Sequence, residues 1–232
     1  MNAFKYILTF LLLVAIPVAA ANKRLEVFVG GKGLTIVQPD GYINACEKSE
    51  DFKQMFSSSL PPTHTLIACF IENKEFALFP DVDHTADNPY LQVQTLKSLI
   101  NRNITKNEFE QFRASVVSQQ DQMFEGMPEA ARKIIKNASK TASKLLSSAV
   151  ELELEGIIPL GVFSNTEDNI AFALIRKMQV QTEDDVVLIT EVTASNIVLR
   201  DEKILIFNAT KTYTNNSDLE TIQKLLVDFS GH

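Results

Sequence analysis

The chain has 232 residues, of which 45% are hydrophobic and 22% charged, and its mean hydropathy is +0.01. This composition excludes a disordered, collagen-like or multi-span membrane protein and is typical of one globular domain or at most two small ones. The net charge of -7 and the isoelectric point near 5.1 argue against nucleic acid as a partner, because the phosphate backbone requires a basic surface.

The N-terminus has the pattern of a secretory signal peptide. Lys5 precedes an uncharged segment with an apolar centre at 10–16, and Pro17 stands just before the small residues that a signal peptidase requires. An uncleaved anchor is the alternative, but the sixteen mostly apolar or small residues from Tyr6 to Ala21 fall short of the ~20 that span a bilayer. We therefore predict that residues 1–21 are a signal peptide and that the mature protein is periplasmic or secreted and soluble.

Export gives the two cysteines a possible structural role. Cys46 and Cys69 would lie in an oxidising compartment, where two cysteines are enough to form a disulfide. Cys69, however, belongs to the apolar segment 65–71, where a buried thiol also packs well. The sequence leaves the disulfide and the inert buried pair open, and the absence of a CxxC motif argues against thioredoxin-type chemistry.

Short β-segments separated by turns are predicted in the first half of the mature chain. Residues 25–29 and 34–37 are predicted to form a hairpin around the glycine-rich turn 30–33. A phosphate loop is the alternative for this turn, but it lacks the Gly-Lys-Ser/Thr ending and no helical pattern follows it. A short helix is predicted over 49–60, and the next predicted strands are 65–71, 75–79 and 90–95.

The middle of the chain is predicted to be helical. Residues 105–108 form a capping box, with Ile104 and Phe109 as the hydrophobic staple around it. Apolar residues then recur at helical spacings, and Pro128 suits the first turn of a second helix that should run to about Val150. We therefore predict a helical insertion over 105–150, either as an αα-hairpin or as one kinked helix.

The pattern after residue 150 is that of an antiparallel meander followed by a helix. Strands are predicted at 157–163, 170–180, 185–199 and 203–213, and Pro159 places the first of them at a sheet edge. Ser217 to Glu220 form a second capping box, and the apolar residues after it lie on one face of a C-terminal helix that should pack on the sheet. Residues 22–232 are thus predicted to be a single α+β domain with an antiparallel, sandwich-like sheet.

Residues 155–230 resemble the PsbP-like α/β/α sandwich. The strand Lys203–Thr210, the polar loop after it and the helix Leu219–Phe229 carry this resemblance. The stretch from Pro159 to Leu174 is also similar to segments of uncharacterised exported bacterial proteins. The resemblance implies a non-catalytic binding or assembly factor and no catalytic residues, and the insertion 105–150 departs from the simplest version of the fold.

One acidic loop and the absence of catalytic motifs bear on chemistry. One loop contains a dense group of oxygen and nitrogen ligands that could hold a divalent cation: Asp81, Asp83, His84 and Asp87. Their spacing does not match the EF-hand. A polar turn between two prolines also explains these residues. The Gly-x-Ser-x-Gly elbow is missing, and three histidines in the whole chain argue against a zinc hydrolase. The sequence therefore favours a protein that is not an enzyme and indicates no cofactor.

A basic stripe is the main candidate for contact with a partner. Residues 131–150 contain five bases and no acid. These bases fall within about 120° of one helix face, opposite Ile134, Ala138, Leu145 and Ala149, and we call them the basic stripe: Arg132, Lys133, Lys136, Lys140 and Lys144. Such a face could lie on an anionic membrane, meet an acidic partner, or be the solvated side of a packed helix, and it lacks the bulky apolar residues of typical membrane-surface helices.

These observations predict an exported, non-catalytic binding or assembly module of unknown ligand. Its partner would be a protein, a lipid or another anionic surface that meets the basic stripe, and not a nucleic acid. The alternative is a small secreted hydrolase or metal-dependent enzyme that uses the loop from Asp81 to Asp87.

Overall fold

A computed structural model describes residues 23–78, 89–183 and 185–231, and in these ranges it contains nine β-strands and six α-helices. The strands are β1 Lys23–Val29, β2 Lys32–Gln38, β3 Tyr42–Asn44, β4 His64–Glu72, β5 Tyr90–Leu96, β6 Glu151–Asn165, β7 Asn169–Gln181, β8 Val186–Arg200 and β9 Lys203–Thr212. The helices are α1 Ala45–Lys48, α2 Glu50–Ser58, α3 Asn73–Leu78, α4 Lys106–Ser118, α5 Gln120–Leu146 and α6 Asn216–Ser230. None of the helices in these ranges combines the length and apolarity needed to cross a bilayer.

Seven of the strands form one antiparallel sheet in the order β3-β4-β5-β9-β8-β7-β6, and β1 and β2 form a separate hairpin. This arrangement confirms the predicted α+β class with an antiparallel sheet. Strand β6 lies at the edge, as Pro159 predicts, and its pairing with β7 is interrupted by three register shifts. Bulges and proline protect such a long edge from pairing with another chain.

One face of the sheet is covered by α6 and the β1–β2 hairpin. Residues that pair directly across strands share a face, so Phe70, Leu91 and Ala209 form one apolar row on this side. The Phe229 ring of α6 contacts the rings of Phe70 and Phe207 edge-on, at centroid distances of 5.5 and 5.1 Å. The predicted C-terminal helix therefore packs on the sheet, and each such buried side chain contributes about 1.5–3 kcal/mol of burial free energy.

The opposite face carries the helices of the first half and of the insertion. Phe109 of α4 is fully buried against Ile170, Ile204 and Ile206, and α1 and α2 pack with Cys69. The predicted capping box at the start of α4 is confirmed, since Thr105 and Glu108 each bond to the other's backbone N–H. The molecule thus has three layers, with the sheet in the middle.

Two predicted elements take another form. The segment predicted as a strand at 75–79 belongs to α3 as far as Leu78, and Phe79 lies outside the described residues. Glu, Ala and Leu favour a helix here, and helical geometry brings Phe76 onto the Phe52 ring, 5.3 Å between centroids. Helix α5 begins at Gln120 rather than Pro128, and Pro128 lies inside it. The proline removes one backbone hydrogen bond from α5. Ala131 and Ile135, which follow it, pack with Leu154 of β6.

The capping box of α6 also differs from the predicted one at Ser217–Glu220. Asn215 is the N-cap, and Asp218 at the third helical position accepts hydrogen bonds from the backbone N–H groups of Thr214 and Asn215. Asp218 is 7% exposed and forms an ion pair with Lys211 of β9. The start of α6 is thereby fixed to the strand on which the helix packs.

Replacing Asp218 with asparagine should lower the free energy of unfolding by about 2–3 kcal/mol at pH 7, because charge-assisted hydrogen bonds to Lys211 and Thr214 are lost. The same bonds hold the pKa of Asp218 well below its usual range. The carboxylate therefore stabilises the fold above the unfolded-state pKa of about 4, and this contribution is lost as the pH falls through the lower folded-state pKa. Urea unfolding should give a smaller difference between wild type and variant at pH 3 than at pH 7, and a difference that does not change with pH would contradict this role.

Candidate functional site

The basic stripe lies on the solvent side of α5, where all five side chains are exposed. Four of them recur every fourth residue, each turned about 40° around the helix axis from the one before. We call this gently winding line the basic row: Arg132, Lys136, Lys140 and Lys144. The fifth, Lys133, pairs with Glu129 at 3.1 Å between Nζ and Oε1. Within the described ranges the basic row forms no ion pair, so it presents uncompensated positive charge along about 18 Å of helix.

The line of residues next to the basic row attaches α5 to the sheet. Ile135 is 6% exposed and packs against Leu154 of β6 and Met178 of β7, with Ala131 beside it. The sequence instead predicts an apolar side formed by Ile134, Ala138, Leu145 and Ala149. That prediction is wrong in detail, because Ile134 is only half-buried and Ala149 is exposed beyond the end of the helix.

Two serines complete this attachment and explain why apolar spacing does not reveal it. Ser139 Oγ donates to the Val150 carbonyl at 2.7 Å and accepts from the Leu152 N–H at 3.1 Å. Ser143 Oγ accepts from the Val150 N–H at 3.0 Å. The docking line Ala131, Ile135, Ser139 and Ser143 is therefore half polar, and it holds the basic row in a fixed position beside the start of β6.

A cavity of about 540 Å³ opens beside the middle of the basic row. Its walls come from α5, the start of β6 and the β7–β8 connection, and they include Lys136, Lys140, Glu151 and Glu183. Two bases and two acids make this wall balanced in charge. Lys136 and Lys140 are themselves members of the row, so Glu151 and Glu183 partly offset its charge here, although neither acid forms an ion pair with it in the described contacts. The members of the row are spaced about 6 Å apart along the helix axis.

This spacing determines which anionic groups could bind. Side chains four residues apart on a helix repeat every ~6 Å, and alternate side chains of a strand repeat every ~6.6 Å. Carboxylates on an acidic segment of either form can therefore meet successive members of the basic row. The serine hydroxyls that line the same cavity, Ser139 and Ser143, bond to the backbone of Val150 and Leu152 in the contacts that the structure describes.

The two cysteines belong to elements other than α5. Cys46 of α1 and Cys69 of β4 are joined in a disulfide, with their Cα atoms 5.5 Å apart. Of the two alternatives left open by the sequence, the structure has the bridge. It ties the first helix to the sheet on the face where α2 also packs.

The predicted metal ligands Asp81, Asp83, His84 and Asp87 lie outside the described residues. Across 23–78, 89–183 and 185–231, no group of three or more His, Cys, Asp or Glu side chains could hold a metal ion. The geometry therefore adds nothing to the alternative of a metal-dependent enzyme, which stays a prediction.

A band of buried polar side chains lies on the face of the sheet that α4 and α5 cover, and the sequence analysis does not predict it. At its centre Arg176 of β7 donates to Glu191 of β8 at 2.6 Å, Nε to Oε2, and to the Tyr90 hydroxyl of β5 at 2.9 Å. The two charged side chains are 29% and 15% exposed. Burial and the nearby Glu191 raise the pKa of Tyr90 to about 12, so this phenol stays protonated at neutral pH.

The charge of Arg176 is held in place by the same contacts. Burial alone lowers the pKa of Arg176, but Glu191 and Tyr90 more than offset this and raise it above its ordinary value. Neighbouring pairs extend the band: Thr193 bonds to Thr210 and Ser195 donates to Asn208. Alternating polar residues on β8 and β9 are the sequence signal for this face, but the strand register is needed to bring them together.

No protein-family model matches the chain, and no curated protein is significantly similar to it. Among solved structures it is similar to a mutant of the protein Mog1, with 14% identity over 89% of this chain and 94% of that one and a TM-score of 0.37. It is also similar to the Saccharomyces cerevisiae Ran-binding protein Mog1p, with 12% identity over 90% of this chain and 95% of that one and a TM-score of 0.33. At these scores neither similarity bears on the function of the chain.

Proposed function

We propose that the protein is an exported, non-catalytic binding module and that its basic row holds an acidic segment of a partner protein. The observation that carries this proposal is the line of four exposed bases on a helix that is fixed to the sheet, in a chain whose net charge is -7. A localised positive surface on an acidic protein attracts and orients an acidic partner. Each exposed ion pair adds only ~0–1 kcal/mol, so binding needs several pairs together and weakens with salt.

The surroundings of α5 favour a protein over a lipid bilayer as the partner. A helix that lies on a membrane inserts a free apolar face among the lipid chains. The buried side chain Ile135 is already packed against Leu154 and Met178. The other large apolar side chains of this part of α5, Ile134, Leu145 and Leu146, are half-buried rather than exposed. The helix therefore has little free apolar surface to insert as an anchor, and its exposed face offers electrostatic contact.

Export is supported by two independent features. Residues 1–21 have the charge, apolar centre and small residues of a cleaved signal. The disulfide between Cys46 and Cys69 is of the kind that persists in oxidising compartments and is rare in the cytosol. The partner would then be another protein of the periplasm or the extracellular space.

Reversing the charge of three bases in the row tests this function. The variant Lys136→Glu, Lys140→Glu, Lys144→Glu should bind a fluorescent peptide of about ten glutamates at least tenfold more weakly than wild type, as measured by anisotropy, because three attractive pairs become repulsive. Raising the salt from about 50 to about 300 mM should weaken wild-type binding in the same direction.

The control is a variant with the same change in net charge at exposed positions outside α5: Lys48→Glu, Lys177→Glu and Lys224→Glu. It should bind the glutamate peptide within about twofold of wild type, since distant charges are screened. Equal weakening by both variants would show that net charge alone matters. Binding of wild type to anionic phospholipid vesicles but not to the peptide would overturn the choice of a protein partner.

A further inference from the structure

A groove of about 840 Å³ separates β1 of the hairpin from β4 of the main sheet. Its walls include residues 25–28 of β1 and 64–67 of β4, each as an uninterrupted run. Successive side chains of a strand point to opposite faces, so consecutive lining residues mean that the groove follows the edges of these strands rather than their faces.

Both strand edges lack a neighbouring strand along this groove, as far as the structure describes the chain. Strand β1 pairs with β2 alone. Strand β3 pairs with β4 only at Phe70–Glu72, so the first part of β4 has β5 on one side and no strand on the other. An unpaired edge presents a row of backbone N–H and C=O groups that can pair with an added strand.

An unsatisfied acceptor marks the same groove. Asn44 lines it, is 9% exposed, and its Oδ1 atom has no hydrogen-bond partner in the described contacts. The Asn44 Nδ2 group donates to Glu47 at 3.4 Å, so only the acceptor is left over. This oxygen is shielded from solvent, so it lies within the wall of the groove, and a group in the groove reaches it only if the Asn44 side chain turns outward.

The side chains along the groove indicate the character of the occupant. Apolar groups face it from both strands, including Phe28, which is 73% exposed although it also covers Gly33. The acids Glu26 and Glu47 are matched by the two lysines of the lining, Lys53 and Lys97. An extended segment without net charge and with apolar side chains therefore complements this surface.

We propose that this groove binds an extended, uncharged and apolar segment of a partner polypeptide by strand addition to β1 or β4. Backbone groups of the segment pair with the open strand edge, and its apolar side chains contact Phe28 and Ile67. This surface is separate from the basic row, which takes acidic side chains, so the two can be tested independently.

The test uses a library of soluble peptides of about ten residues in which Val, Ile, Leu or Phe alternate with Ser or Thr. The tightest binder is labelled and titrated with the mature protein by anisotropy, and a copy methylated on alternate backbone nitrogens is titrated beside it. Groove variants are Phe28→Lys and Thr65→Arg, and the control is Leu188→Lys, a 72% exposed residue of β8 outside the groove. Thermal melting checks that each variant is folded.

We expect both groove variants and the methylated copy to weaken binding at least about tenfold, because side-chain contact and backbone pairing are both needed, and we expect Leu188→Lys to change it less than twofold. The variant Lys136→Glu, Lys140→Glu, Lys144→Glu should bind the selected apolar peptide as wild type does. Absence of any binder in the library, equal binding of the methylated copy, or insensitivity to the folded groove variants would each overturn the proposal.

Discussion

Replacing Glu191 with leucine should lower the free energy of unfolding by about 3–5 kcal/mol, because Arg176 would keep its charge in a largely buried site without its partner. The guanidinium would retain only the Tyr90 hydroxyl, which is an acceptor and brings no negative charge at neutral pH. Urea unfolding at pH 7 measures this loss directly. The same substitution at Glu153, an exposed position of β6, should change stability by no more than about 0.5 kcal/mol.

A second variant separates the unpaired charge from the loss of packing. Replacing Arg176 with methionine in the Glu191→Leu background removes the buried charge as well, and should recover much of the lost stability. If the double variant is no more stable than Glu191→Leu alone, the cost does not come from the uncompensated arginine and this view of the polar band is wrong.

Removing the disulfide should have an effect of similar size. Alanine at both Cys46 and Cys69 should lower the free energy of unfolding by about 3 kcal/mol, because the unfolded chain is freed from a cross-link between residues 23 positions apart. A reductant should destabilise the wild type by the same amount and leave the double-alanine variant unchanged. A wild type whose unfolding does not respond to reductant would contradict the bridge.

The sequence predicts those elements whose signals are local. The capping box at Thr105 to Glu108 and the 3.6-residue spacing of α6 each depend on neighbours along the chain, and both elements are present. The segment predicted as a strand at 75–79 is too short for its periodicity to distinguish a strand from a helix. The contact between Phe76 and Phe52 stabilises the helix, which includes this segment as far as Leu78.

The functional surfaces divide in the same way. The basic stripe is visible in the sequence because its members are close along one helix, whereas the docking line beside it uses Ser139 and Ser143 and escapes an apolar pattern. The polar band draws Tyr90, Arg176 and Glu191 from three strands, and only the strand register brings them together. The groove is defined by strand edges without partners, a property that no residue pattern encodes.

Site-specific photo-crosslinking from Asn137, an exposed position next to Lys136 of the basic row, tests the central claim most directly in the cells that produce the protein. We predict a crosslink to an acidic segment of an exported protein, lost when Lys136, Lys140 and Lys144 are changed to glutamate and kept when Lys48, Lys177 and Lys224 are changed instead. A crosslink to lipid alone, or one that survives reversal of the basic row, would contradict the proposal that α5 binds an acidic protein partner.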